Sequence, residues 1–594
     1  MRTAKKSMKF GISVPNDIDH ARKLDEQNGN TFWEDAINKE VANVKIAFQL
    51  LEHNEPIPVA SKLISYHFIF DVKFDLTRKA RCVAGGHQNK NVPAQCTYAS
   101  VVSRDSVRIA FLLAALNDVN ILAGDVGNAY LNAPAKERVH VTVRDNLLFG
   151  PENKGKTAVI VRALYGLKSA GNSWRQHFAT RIREELGYKT CEADQDVYMK
   201  EATKPDGTKY WAYIIVYVDD VLCVNHDTKT TMDQISKLYR MKEGSIETPK
   251  VYLGANIKEW KLQDADGEFT KCYASSSNTY AKEAVRIVEG LMLENKLLFT
   301  STRRNGSKSP FSSSEYRPEL ENTPYCNDEL TTVYQNLMGM LRWMIELGRI
   351  DILHESSLLS QYMAAPRSGH LQQALNIFKY IKHNITSGWL IFDPLDFDID
   401  WVPIRPDELH PIERARSMKE LYPDSEDMLP PKMPEPRGKP VNINVFVDSD
   451  HAGNVVTRRS HTGIMIFVNM TPIQWYSKKQ NTIETSTFGA EFIALKIATE
   501  LIESLQYKLR MMGVPLSGPA RVMCDNQSVV ISGSFPESTL KKKHCSIAYH
   551  KVREAIAGEK ILIFYENTLT NIADLFTKVL TANKRWPLIQ GVLS

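Results

Sequence analysis

The segment Tyr213–Val224, YIIVYVDDVLCV, places two adjacent carboxylates, Asp219 and Asp220, inside an otherwise apolar run. Neighbouring side chains on a regular strand point to opposite faces, so adjacent aspartates there could not easily share a metal ion. A tight hairpin turn between residues 213–218 and 221–224 removes that restriction and would hold Asp219, and to a lesser degree Asp220, at the end of a sheet. An isolated Asp-Asp pair in a turn is usually only solvated. A catalytic role for this pair therefore requires a further acidic motif.

A second acidic motif lies upstream, where GDVGNAYLN at 124–132 follows the apolar stretch Val119–Ala123. Phosphoryl transfer needs divalent cations that bridge the attacking hydroxyl, the transferred phosphate and the leaving group. Mg²⁺ takes hard oxygen ligands and keeps several waters, so three carboxylates on neighbouring strands are sufficient. Taken alone, Asp125 could equally be a helix cap or a turn residue.

Taken together, Asp125–Tyr130 (DVGNAY) and Tyr217–Asp220 (YVDD) resemble the palm of a retroviral or retrotransposon reverse transcriptase. Further sequence motifs narrow the resemblance to copia-type long-terminal-repeat retrotransposons. These motifs occur in the same order as in that family, along nearly the whole chain. They are Lys79–Gly85 (KARCVAG), Leu164–Ser169 (LYGLKS), Tyr252–Asn256 (YLGAN) and Tyr334–Gly339 (YQNLMG).

The resemblance implies that Asp125, Asp219 and Asp220 are catalytic residues that bind two ions of Mg²⁺, with Mn²⁺ as an alternative. The backbone carbonyl of Val126 would also face a metal. Tyr130, where the family more often has phenylalanine, would lie beneath the incoming sugar and exclude a 2′-hydroxyl.

The resemblance also assigns Lys79 and Arg81 to the fingers, where they would pair with the nucleotide triphosphate. The alternative is a solvated basic turn. Ser169-Ala170-Gly171 departs from the family's usual Gln-Ala-Pro, which leaves the detail of template contact open.

A second acidic set follows residue 440. Asp448 comes late in a strand-like run, Glu491 opens a helix-like run, Asp525 ends another strand, and Asp574 follows. Four acids at strand ends and helix starts can gather around two metals, although any one of them could be an ordinary surface acid.

This region resembles the copia-type ribonuclease H in Thr457–Gly463, Trp475–Gln480 and Ala573–Lys578. The resemblance implies that Asp448, Glu491, Asp525 and Asp574 bind metal and carry out the cleavage. Retroviral relatives have a histidine shortly before the last aspartate, which is missing here. His544 and His550 are the nearest candidates, and a surface role is favoured for both.

The implied fold class is α+β and α/β multidomain: a right-hand polymerase with fingers, palm and thumb, a helical connection, and a ribonuclease-H-like domain. Apolar spacing predicts helices over 103–117, capped by Ser103 or Ser106, over 170–186, ended by Gly187, and from Phe32 through Leu51. Tyr66–Lys73 is predicted as a strand. The predicted boundaries are 1–60 for an N-terminal helical extension, 61–260 for fingers and palm, 261–329 for a thumb-like region, 330–402 for the connection, 403–440 for a linker and 441–594 for the ribonuclease H domain.

Composition and net charge limit the class of protein only broadly. The 594 residues are 43% hydrophobic with a net charge of only +5, which neither requires nor excludes nucleic acid. The clusters Arg78/Lys79/Arg81, Lys478/Lys479 and Lys541/Lys542/Lys543 are candidate phosphate contacts or simply a charged surface. No window reaches 18 uninterrupted apolar residues, so no membrane span is expected.

The expected partners are an RNA template, a DNA primer, the RNA–DNA hybrid and deoxynucleoside triphosphates. Zinc-knuckle, protease and integrase motifs are not found, so we expect a processed product or a genomic fragment of a polyprotein whose other parts include integrase, protease and capsid. Its expected location is cytoplasmic virus-like particles, with later nuclear entry. The alternatives are a catalytically dead remnant, a nucleic-acid-binding or structural protein, and a DNA-templated polymerase, which the hybrid-cutting domain disfavours.

Overall fold

The computed structural model describes residues 8–9, 11–52, 55–73, 76–144, 147–263, 267, 269–295, 297, 308–385, 388–398, 417–540 and 545–593. Within these residues, no helix combines the length and the apolar character needed to cross a bilayer.

The N-terminal part combines two helices with short strands. Its elements are β1 (Met8–Lys9), β2 (Ile12–Ser13), α1 (Ile18–Asn28), α2 (Phe32–Val44), β3 (Phe48–Leu50), β4 (Lys62–Leu63), β5 (Tyr66–Val72) and β6 (Arg78–Ala84). The predicted strand at Tyr66 is confirmed, and it pairs with β6 so that Asp71 lies opposite Lys79. The prediction of helix as far as Leu51 was wrong. Residues 48–50 form a strand because they pair with residues 158–160, a distant contact that overrides the local apolar spacing.

The region predicted to form the palm, called the palm below, is built on one five-stranded sheet. The elements of this region are α3 (Arg104–Leu116), β7 (Asn120–Asp125), β8 (Val139–Thr142), β9 (Thr157–Ile160), α4 (Ala170–Leu186), β10 (Lys189–Thr190), β11 (Val197–Thr203), β12 (Lys209–Tyr217), β13 (Asp220–Asn225) and α5 (Thr228–Leu238). The palm sheet has the order β10-β11-β12-β13-β7. Both predicted helices are confirmed with their caps: the Ser103 hydroxyl accepts the Ser106 N–H, and Gly187 ends α4 with a φ of 71°.

A second sheet and a group of helices follow the palm. They are β14 (Val251–Tyr252), β15 (Ala255–Gln263), β16 (Phe269–Ser276), α6 (Asn278–Glu294), α7 (Asp328–Glu346), α8 (Leu353–Leu359), α9 (Ser368–His383), β17 (Leu390–Phe392) and α10 (Met418–Leu421). Strand β17 pairs with β16, so the region predicted as a helical connection also supplies a strand. The predicted boundary at 260/261 falls inside β15.

The C-terminal region is a mixed sheet covered by helices. Its elements are β18 (Ile443–Ser449), β19 (His461–Val468), β20 (Thr471–Lys479), α11 (Thr487–Met511), β21 (Ala520–Cys524), α12 (Gln527–Ser534), α13 (Ser546–Ala557), β22 (Ile561–Tyr565) and α14 (Ala582–Gln590). The sheet order is β20-β19-β18-β21-β22, with β18, β21 and β22 parallel and the other pairs antiparallel. Together with the palm sheet, it confirms the predicted α+β and α/β multidomain fold.

Part of the predicted linker is firmly packed. Residues 403–416 lie outside the described residues, but residues 417–440 contact both the palm and the C-terminal domain. The Trp211 indole donates to the carbonyl of Glu435 over 2.9 Å, and Arg437 pairs with Glu201 at 2.8 Å. On the other side, Asp427 accepts from Arg510 of α11.

Candidate active sites

Strand pairing brings the first acidic set together at one end of the palm sheet. Strands β7 and β13 are antiparallel and in register, so Asp125 lies directly opposite Asp220. Asp219 occupies the turn between β12 and β13, and its carbonyl accepts the N–H of Val126 over 2.8 Å. Asp125 and the adjacent pair Asp219-Asp220, far apart in sequence, therefore lie at the same end of the sheet, as the hairpin interpretation required.

The site holds one cation that sequence reasoning missed. The Lys242 ammonium donates to Asp125 and also lies 3.3 Å from Asp219 Oδ2. Burial raises the pKa of Asp125, an effect that Lys242 opposes. Burial together with the Asp219 and Asp125 carboxylates raises the pKa of Asp220 to about 6. The cluster is thus acidic, partly buried and incompletely neutralised, which favours binding of a divalent cation.

The residues predicted to bind the nucleotide flank this cluster. Tyr130 lies in a short 3₁₀ helix, Ala129–Asn132, with its ring centroid 4.8 Å from that of Tyr165. The Arg81 guanidinium lies over the Tyr165 ring at 4.7 Å. Burial and the neighbouring Arg81 lower the pKa of Lys79, whereas Asp219 acts in the opposite direction. Cations and an aromatic ring therefore stand beside the carboxylates.

The second acidic set converges in the C-terminal domain. Asp448 lies in β18, and Asp525 directly follows β21, the parallel neighbour of β18, so the two strands deliver both residues to the same sheet edge. Glu491 is in the first turns of α11, and Asp574 is in the 3₁₀ helix Ile572–Phe576. Carboxylate oxygens of Asp448, Asp525 and Asp574 lie within 4.8 Å of one another. Asp448, Glu491 and Asp525 line a cavity of about 540 Å³.

Burial and mutual repulsion shift these groups strongly. Burial is the main cause, and the charge of the Asp448 carboxylate is the next. Together they raise the pKa of Asp574 to about 7 and the pKa of Glu491 well above its ordinary value. Lys578 Nζ partly compensates, at 2.5 Å from Asp574 Oδ1 and 3.2 Å from Asp448 Oδ2. Such pKa shifts are typical of functional sites, although structural ion pairs also produce them.

Both carboxylate sets fit Mg²⁺ by the nature of their donors. In each set one buried carboxylate oxygen, Asp125 Oδ1 or Glu491 Oε2, has no hydrogen-bond partner among the described residues. A buried unpaired carboxylate oxygen is costly, and a hard divalent cation would satisfy it.

Comparison with known proteins gives the family of the first site. Residues 53–280 match the family model described as reverse transcriptase (RNA-dependent DNA polymerase). This segment is a reverse transcriptase domain. The match contains Asp125, Asp219 and Asp220.

The relatives of this reverse transcriptase domain are Pol polyproteins of copia-type retrotransposons. The chain is 22% identical to the retrovirus-related Pol polyprotein from transposon RE1 of Arabidopsis thaliana, with 92% of this chain and 33% of that protein covered. It is 24% identical to the corresponding polyprotein from transposon TNT 1-94 of Nicotiana tabacum, with 89% and 35% covered. The chain therefore spans about a third of the length of the curated relatives it matches.

Among solved structures, the foamy viral protease-reverse transcriptase in complex with RNA/DNA hybrid aligns over 99% of this chain and 80% of its own, at 12% identity and a TM-score of 0.29. LC11-RNase H1 in complex with RNA/DNA hybrid aligns over 23% of this chain and 94% of its own, at 18% identity and a TM-score of 0.19. These likenesses are too distant to add to the argument.

Several residues around the reverse transcriptase domain and the C-terminal site were not anticipated. Asp450 and His451 line the C-terminal cavity, and Lys578 pairs with two of its acids. The spacing of Lys578, four residues after Asp574 in a helical turn, was a usable signal. Lys242 gave no such signal, because its approach depends on hydrogen bonds between residues 240–247 and β7.

The two candidate histidines, the lysine cluster at 541–543 and Ser169 remain to be placed. His550 is exposed and hydrogen-bonds the Tyr422 hydroxyl, which agrees with a surface role. His544 and the Lys541/Lys542/Lys543 cluster lie outside the described residues. Ser169, at the position that departs from the family pattern, is buried, and its N–H and hydroxyl donate to Glu137. The Ser169 hydroxyl is thus engaged by Glu137 within the domain.

Proposed function

We propose that this chain copies RNA into DNA and degrades the RNA strand of RNA–DNA hybrids. The observation that most strongly supports the polymerase is the meeting of Asp125, Asp219 and Asp220 at one end of the palm sheet, inside the segment that matches the reverse transcriptase model. The convergence of Asp448, Glu491, Asp525 and Asp574 supports the nuclease.

In this proposal each acidic set binds two Mg²⁺ ions, which would stabilise the negative charge that develops during phosphoryl transfer. Lys79 and Arg81 bind the triphosphate of the deoxynucleotide, and Tyr130 supports its sugar. The carbonyl of Val126 would also help to hold a metal. RNA template, DNA primer and hybrid are held by backbone contacts, because a near-A-form duplex is recognised by its shape rather than its sequence.

The relatives are polyproteins, and this chain corresponds to about a third of their length. We therefore propose that it acts with integrase, protease and capsid parts of a polyprotein, in cytoplasmic virus-like particles with later nuclear entry. The alternative is a chain that keeps the fold and binds nucleic acid without catalysis.

Two matched variants of the full chain separate these options. Asp219→Asn should abolish primer extension on an RNA template while hybrid cleavage continues, and Asp448→Asn should do the reverse. Asp233→Asn, on the exposed face of α5, is the control and should leave both activities intact. A folded wild-type chain that showed neither activity with Mg²⁺ or Mn²⁺ would favour the catalytically dead alternative.

A further inference from the structure

The turn that carries Asp219 has a strained backbone. Val218 has a φ of 60°, in the left-handed region. Valine rarely adopts this conformation, because its branched Cβ crowds the following carbonyl. Strain of this kind persists only where surrounding contacts over-determine the backbone, and it concentrates at functional sites.

Two hydrogen bonds hold the turn from opposite sides. The Trp174 indole N–H donates to the carbonyl of Val218 over 2.6 Å, and the Val126 N–H donates to the carbonyl of Asp219 over 2.8 Å. The second bond links the turn to the strand that carries Asp125. The first comes from a helix, α4, that carries none of the predicted site residues.

Trp174 is itself firmly placed. Its side chain is 2% exposed, and its ring packs against Phe178 and Tyr239 at centroid distances of 5.5 Å and 5.2 Å. Tyr239 precedes residues 240–242, which hydrogen-bond to the backbone around Asp125. The same aromatic core therefore supports both the Asp219 turn and the segment that bears Lys242.

Trp174 also borders the space beneath the predicted sugar site. With Tyr130, Gly171 and Val218 it lines a cavity of about 140 Å³. The indole, the turn residue Val218 and the Tyr130 ring therefore face the same small cavity.

We propose that Trp174 is a positioning residue for polymerisation, whose indole N–H fixes the Val218 carbonyl and thereby sets the Asp219 carboxylate relative to Asp125 and Asp220. This inference rests on the proposed polymerase function. The simpler view makes Trp174 an ordinary core residue, for which ring volume matters and the N–H does not.

An isosteric replacement separates the two views. Benzothienylalanine at position 174 of the full chain replaces the indole N–H with sulfur and keeps the ring size. We expect kcat for primer extension to fall by about ten- to hundredfold, because small misplacements of reacting groups have effects of this order. KM for the nucleotide and the hybrid-cleavage rate should stay within about twofold, since a single donor distant from the substrate is lost. The same replacement at Trp260, on β15, is the control.

Hydrogen exchange provides a readout that does not need activity. Amides of the hairpin 213–224 should exchange faster in the position-174 variant, and those of β18 should not change. Faster exchange with selective loss of kcat supports the proposal. Wild-type kcat and hairpin exchange in the variant, or an equal loss of both activities with a lower melting temperature, would overturn it. If the unmodified chain fails to extend primers, the proposed function fails. Hydrogen exchange of the hairpin then decides by itself whether the Trp174 indole holds the Val218 turn.

Discussion

Tyr130 is the residue that we propose to exclude a ribonucleotide from the polymerase site. Its half-buried ring lies against Tyr165, so it is held in one place beside the carboxylates. We predict that Tyr130→Ala raises ribonucleotide incorporation by about tenfold or more relative to deoxynucleotide, because the barrier to a 2′-hydroxyl is removed. Tyr130→Phe keeps the ring and should keep the discrimination. The measurement is the ratio of kcat/KM for the two nucleotides, and an unchanged ratio in the alanine variant would contradict the assignment.

His461 should make folding sensitive to acid. It is buried, with Nε2 2.9 Å from the Ser477 hydroxyl and its ring 4.8 Å from that of His354. Burial, and next the charge of Lys479, lowers the pKa of His461 to about 3. In the unfolded chain the pKa is about 6.5. Below pH 6.5 the His461 imidazole is protonated in the unfolded chain but stays neutral in the folded chain. Its contribution to the free energy of unfolding is therefore present above pH 6.5 and is lost as the pH falls toward 3.

The predicted loss between pH 7.5 and pH 5 is about 2 kcal/mol for this one histidine. The melting temperature of wild type should therefore fall over this range by more than that of His461→Gln. His67→Gln, at an exposed position, is the control and should follow wild type. Parallel pH profiles for wild type and His461→Gln would show that the group is not held neutral.

Among the elements, α4 offers a clean test of a helix end. Gly187 has a φ of 71° and donates to the carbonyls of Arg183 and Ile182, while an added Cβ would meet only the end of Lys200, at 3.7 Å. Gly187→Ala should therefore destabilise the fold by about 1 kcal/mol through backbone strain alone. Gly339→Ala, inside α7 with open space around it, should instead stabilise by about 0.5–1 kcal/mol. Thermal unfolding of both variants checks the sign, and shifts in the same direction would refute the explanation.

Helices α3 and α4 also show what could be predicted from the sequence. Their apolar spacing and caps are local signals, and both helices begin and end within about one residue of the prediction. Strands β3 and β17 could not be predicted in this way, because each forms only by pairing with a distant strand. The same distinction between local signals and long-range contacts applies to the acidic site around Asp125. The acids were recognisable within their motifs, but the approach of Lys242 depends on long-range hydrogen bonds that local spacing does not encode.

At the scale of the whole molecule, the C-terminal domain is joined to the palm by buried polar contacts. The Tyr213 hydroxyl donates to the carbonyl of Met512 over 2.7 Å. Arg108 of α3 donates to the carbonyl of Ile473 over 2.8 Å and lies over the Trp475 ring at 3.9 Å. Contacts that join distant parts of the chain in this way hold the two acidic sites at a defined separation, which the proposed action on one RNA–DNA hybrid would require.

A fully buried ion pair joins α14 of the C-terminal domain to α8, one of the helices before the linker. Arg585 pairs with Glu355 at 2.7 Å, with 1% and 0% of the two side chains exposed, and it also donates to the carbonyl of Asp351. Arg585→Met should destabilise the protein by about 3–5 kcal/mol, because it leaves Glu355 charged and buried without its partner.

The double variant Arg585→Met/Glu355→Met removes both charges and should recover part of that loss, which distinguishes a desolvated ion pair from simple packing. Because α14 packs against the 3₁₀ helix Ile572–Phe576, which carries Asp574, hybrid cleavage should fall together with stability. Unfolding midpoints and both activities would be compared for wild type, the two single variants and the double variant. If the double variant were as unstable as the sum of the single ones, the pair would not be coupled, and the junction would owe its stability to packing of the surrounding side chains.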